Sequence, residues 1–97
     1  MLFAKKIKLL RDERQMPQRQ IAATLEIDTA TYCKIEKGDR RAKREQVSIL
    51  SELFKCNNDE LLKMWLADQI YDVVKNEKGA RDVLDMVQEN IIEYGKK

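Results

Sequence analysis

Apolar residues along this 97-residue chain recur three and four positions apart, with polar and charged residues between them. That period predicts helices, and no alternation long enough for a strand interrupts it. Phe3, Ile7 and Leu10 share one face of a first helix, over roughly residues 2–14. Met16-Pro17 interrupts it, because proline restricts the residue before it to extended backbone. A second short helix, about 18–25, would bury Ile21, Ala22 and Leu25. Asp28 is a good N-cap for a third, about 29–36, with Tyr32 and Ile35 inward and Gly38 as the stop. Val47, Ile49, Leu50, Leu53 and Phe54 predict a fourth helix, about 44–55. Asn57 and Glu60 have capping-box spacing and open a fifth, which carries Leu61, Leu62, Trp65, Leu66, Ile70, Val73 and Val74. Asn76 to Gly79 breaks or kinks it, and a last helix spans about 80–94. The expected fold class is all-α.

One stretch departs from ordinary helix chemistry. After Asp28 the outward positions of the third helix are Thr29, Ala30, Thr31, Cys33 and Lys34, where a solvated helix would show Glu and Lys throughout. A turn of only about three residues joins this helix to the second, so the two must cross closely, with Ala22 at the crossing. Ile21, Leu25, Ile27, Tyr32 and Ile35 stand at the spacings that seal the pair against the first helix. That is the helix-turn-helix pattern, whose second member lies in the major groove of DNA. A slim outer face lets base edges approach.

Charge adds a division that the net value of +2 conceals. Residues 1–44 hold twelve Lys/Arg against six Asp/Glu, a net +6, whereas residues 45–97 hold seven against eleven, a net −4. A basic half joined to an acidic half suggests that the first meets a polyanion. Two solvated surfaces of unlike composition would give the same count. Six basic residues fall within the eleven positions 34–44, directly after the recognition helix, and this favours phosphate binding.

The chain has 37% charged residues, no histidine and two cysteines. Imidazole catalysis and most zinc sites are thereby excluded, and Cys33 and Cys56 make no disulfide framework. Neither a metal nor a cofactor is expected. The first residues lack the apolar core of a signal peptide, and no apolar run is long enough for a transmembrane helix, so no membrane association and a reducing cytoplasm are the expectations. No nucleophile–base pair or phosphate-cradling loop is visible, which makes an enzyme the weakest reading.

The segment PQRQIAATLEIDTATYCKIEKG resembles the helix-turn-helix of Cro and the phage repressors, the XRE-type DNA-binding regulators. The resemblance covers roughly residues 3–66 and implies a five-helix repressor-like domain over residues 1–66, with a C-terminal helical extension over 67–97. It also implies roles. Gln18 would touch a phosphate and brace the recognition helix. Thr29, Ala30, Thr31 and Lys34 would face the groove, while Lys37, Arg40, Arg41 and Lys43 would hold the sugar-phosphate backbone. Arg11 and Glu36 match a partly buried salt bridge that pins the first helix to the third. Two positions depart from the family pattern. Pro17 stands where a capping hydroxyl or amide is usual, and Glu26 stands where glycine is common, which would require left-handed backbone.

The leading expectation is a sequence-specific regulator, a repressor binding an inverted repeat in double-stranded DNA as a homodimer. The wording TATYCKIEKGDRRAKREQV is similar to small regulators encoded beside restriction-modification or methylase genes. Positions 80, 83/84, 87, 91 and 94 approach a heptad seam, read either as a dimerisation helix or as a helix folded back on its own domain. The alternative function is an antitoxin-like or adaptor protein whose main task is to bind another protein.

Overall fold

The computed structural model describes residues 1–94, so the last three positions of the expected extension lie outside the described residues. Six helices follow in chain order: α1 (Leu2–Glu13), α2 (Gln18–Thr24), α3 (Thr29–Lys37), α4 (Arg44–Phe54), α5 (Asn58–Val74) and α6 (Ala80–Tyr94). Among the described residues there is no strand, and the fold is all-α. The expected helix ends agree with these bounds to within one residue or so. No described helix is long and apolar enough to cross a membrane.

α1 is the pivot of the core. It packs against α3, α4 and α5, while α2 packs on α3 and α4 on α5. Ile7, Ile21, Tyr32, Val47, Leu50 and Phe54 are fully buried where these helices meet. Each such side chain contributes about 1.5–3 kcal/mol by leaving water. The first five helices therefore hold one another.

Local chemistry sets the helix boundaries. The Asp28 carboxylate accepts the Thr31 amide at 2.6 Å, and the Asn57 side chain accepts the Glu60 amide at 3.0 Å. Each satisfies an amide that the first turn leaves without an intrahelical partner. Gly38 ends α3 at φ +84°, where the Asp39 amide returns to the Lys34 carbonyl at 2.9 Å. Glu26 does adopt left-handed backbone, at φ +59°, and so do Gln15 and Lys55, whose sequence context gave no warning. Gln15 and Lys55 each follow a helix end, where a left-handed residue turns the chain away.

α5 runs unbroken to Val74, so the expected division at residues 66/67 falls inside one helix. Asp68, just past that point, is buried and accepts the amides of Leu2 and Phe3, both at 2.9 Å. It caps α1 from sixty-odd positions away. α6 differs from every other element, because none of its residues is buried.

Candidate nucleic-acid interface

The α2–α3 pair is built from small and branched side chains. Ala22, 1% exposed, lies where the two helices touch, and Ile21 and Leu25 are buried beside it. The turn closes through the Glu26 amide on the Ala23 carbonyl and the Ile27 amide on the Ala22 carbonyl. Pro17 occupies the N-cap position of α2 in extended conformation, with φ −74° and ψ 148°. It offers no capping side chain, yet its fixed φ suits the entry to the helix. Thr31, through its hydroxyl first and its backbone amide second, holds the Asp28 carboxyl below its ordinary range.

Behind α3 lies a polar brace. Arg11 donates to both carboxylate oxygens of Glu36, at 2.9 and 2.7 Å, and its third nitrogen donates to the Met16 carbonyl at 3.0 Å. The pair joins α1 to α3, as the resemblance implied. Gln18 adds α2, donating to Glu36 at 3.3 Å and accepting the Cys33 thiol at 3.0 Å. Burial works against ionisation of Glu36, but the Arg11 hydrogen bond and charge outweigh it and hold the carboxyl below its usual value. The same hydrogen bond raises the Arg11 guanidinium further. Tyr32 packs as core, and burial pushes its phenol far up, with the Glu36 carboxylate adding to the shift. Its hydroxyl faces Glu36 without a hydrogen bond of ordinary geometry.

On the far side of α3, Thr29, Ala30 and Lys34 are exposed and Thr31 is half-buried. Lys37, Arg40 and Lys43 stand exposed immediately beyond, so the structure gathers the expected contact residues on and beside one helix. Arg41 is also exposed but reaches Asp72 of α5 at 3.4 Å. The loop that carries these cations is fastened from below. Ala42 is buried, its carbonyl accepts the Trp65 indole N–H at 2.8 Å, and the Gln46 side chain accepts the Lys43 amide at 2.8 Å. Trp65 is thus a packing residue, as its spacing predicts. An open cleft beside the brace is lined by Lys8, Arg11, Gln18, Glu36 and Lys37.

A family model described as helix-turn-helix matches residues 7–61, more than half of the chain. The chain belongs to the helix-turn-helix family of the Cro and phage-repressor type. Comparison with curated proteins and with solved structures gives no match.

This helix-turn-helix protein is accordingly a DNA-binding transcription regulator, and its family is a regulatory one rather than a catalytic one. Sequence reasoning missed two features of the helix-turn-helix unit. Lys8 shares the cleft with Gln18 and Lys37, but on α1 it reads as an ordinary solvated lysine. Asp72 sits in the acidic half, and nothing in its local context announces that the fold sets it against Arg41. Both relationships are long-range, and a pattern of local periodicity carries no signal for them.

Proposed function

We propose that this helix-turn-helix protein is a sequence-specific repressor that binds an inverted repeat as a homodimer, with α3 in the major groove. The observation that carries the reading is the outer face of α3. Thr29, Ala30 and Lys34 are exposed and leave room for base edges, and the exposed cations Lys37, Arg40 and Lys43 follow directly. Thr31 and Lys34 are base readers together with Thr29, while Ala30 gives the groove space and apolar contact with a thymine methyl. Lys37, Arg40, Arg41 and Lys43 hold phosphates. So does Gln18, whose amide nitrogen keeps one hydrogen free after bonding Glu36. Lys8 extends that phosphate contact along the cleft.

One recognition helix reads only a half-site, so tight binding calls for two copies. The C-terminal helix is the dimer element in this reading, since it carries an apolar seam and none of its residues is buried within its own chain. The likeness of TATYCKIEKGDRRAKREQV to regulators beside restriction-modification genes supports a controller role. A DNA target implies a cytoplasmic location. A second reading, an adaptor or antitoxin-like protein, draws on α6, none of whose residues is buried and which would then cover a different protein.

Selection of bound sequences from a random DNA pool tests the leading reading. The expected product is a short inverted repeat with its half-sites about one helical turn apart. Recovery of no preferred sequence would leave the adaptor reading in its place.

A further inference from the structure

Two apolar stripes remain uncovered, and they lie on consecutive helices. Leu66, Ile70 and Val73 stand on the side of α5 opposite Leu61 and Asp68, which face the core; Val73 is 76% exposed. On α6, Leu84, Val87, Ile91 and Tyr94 fall at three- and four-residue spacing, and all are at least 40% exposed. The corner between the helices is fixed by hydrogen bonds. The Glu77 amide meets the Val74 carbonyl at 2.9 Å, the Ala80 amide the Glu77 carbonyl at 3.3 Å, and the Val83 amide the Gly79 carbonyl at 2.9 Å. Val74 is buried at this corner, apart from the main core cluster. On either side of this corner the two stripes are left exposed within their own chain.

We propose that two copies exchange their C-terminal helices, each α6 lying in the trough formed by the partner's α5 stripe and the partner's α6. This deepens the homodimer reading above and rests on it. Charge selects a second copy over a charged partner. Asp82, Asp85, Glu89 and Glu93 all fall on the side of α6 away from the seam, so the seam presents nothing to an oppositely charged surface. Self-complementarity follows from two-fold symmetry, because each chain supplies one stripe and one seam. The area is sufficient. With about half of each of these seven side chains exposed, roughly 80 Å² apiece, two copies bury on the order of 1,100 Å² between them, above the roughly 1,000 Å² that marks a specific interface.

The test uses the full chain. Light scattering at micromolar concentration should show a dimer, and Ile70→Glu and Ile91→Glu should each weaken it by about 100-fold or more, because symmetry buries the charge twice. Ile70 is exposed in the single chain, so unchanged helical circular dichroism should accompany its loss of dimer. To place the helices, chains with Ile70→Cys are mixed with chains carrying Val87→Cys, both also Cys33→Ser and Cys56→Ser, and treated with a short bis-maleimide. Covalent pairs joining the two kinds of chain support exchange. A monomeric full chain, an Ile70→Glu variant as dimeric as the parent, or a mixture without mixed covalent pairs overturns it. The random-pool selection separates the two proposals. A cross-linked dimer that selects no DNA sequence supports exchange and removes the repressor reading. An inverted repeat bound equally well by Ile70→Glu removes exchange and leaves the repressor reading standing.

Discussion

The guanidinium of Arg11 grips the carboxylate of Glu36 through two hydrogen bonds, at 2.9 and 2.7 Å, across twenty-five positions of sequence. The Glu36 side chain is 3% exposed and that of Arg11 15%, so water replaces neither partner easily. Removing one member strands the other. Either single Ala substitution should cost about 2–3 kcal/mol, below the full value for a wholly buried pair because Arg11 keeps an edge in solvent. A double-mutant cycle by chemical denaturation should give a coupling of more than about 1 kcal/mol; additive losses would show that the pair does not interact energetically.

The same pair makes stability depend on acid. The native Glu36 carboxyl titrates below its ordinary value of 4.5, so the folded state binds its proton more weakly than the unfolded chain does. Its stabilisation is complete above about that value and is lost as pH falls through the lower native one. Thermal unfolding from pH 7 to pH 3 should therefore show a fall in Tm that is smaller in Glu36→Gln. A parallel fall in both proteins would assign the acid sensitivity to other carboxylates.

Tyr32 offers a contrasting case beside the same carboxylate. Its hydroxyl is buried without a hydrogen-bond partner among the described residues, a situation that costs about 1–3 kcal/mol. Tyr32→Phe should accordingly be neutral or stabilising by up to about 1 kcal/mol. Loss of more than about 1 kcal/mol in denaturant unfolding would mean that the hydroxyl does bond Glu36.

Lys34 sits one turn beyond Thr29-Ala30-Thr31 on the outer face of α3. Lys34→Ala should cost about 1–3 kcal/mol on the selected sequence and relax preference at one position of each half-site. Competition binding against random DNA checks this. Equal weakening on both would demote Lys34 to a phosphate contact.

In the proposed interface Asp72 competes with the DNA backbone for Arg41, which lies 3.4 Å from that carboxylate on the surface. An exposed ion pair is worth about 0–1 kcal/mol, so Asp72→Asn should tighten binding to random DNA by up to about fivefold. Arg41→Ala should weaken it and lower the log–log salt slope by about one. An Asp72→Asn protein that binds no tighter, with a salt slope unchanged by Arg41→Ala, would place Arg41 outside the interface.

Local order was legible in the sequence. Apolar spacing, the Asp28 and Asn57 caps, the Gly38 stop and the slim face after Asp28 are all properties of neighbouring residues, and they fix helix existence, type and approximate ends. The left-handed turn at Glu26 was legible through family resemblance, because glycine is common at that position in the family. The Arg11–Glu36 pair was legible through family resemblance, since nothing local joins residues 11 and 36. Tertiary structure alone decided the rest. It brought Asp68 to cap α1, Trp65 to hold the Ala42 carbonyl, Asp72 to face Arg41 and Lys8 to share a cleft with Gln18. Each needs segments distant in sequence to be packed together before the two groups meet. The sequence also gave α6 an apolar face identical in kind to those of the core helices. Only the fold left that face uncovered.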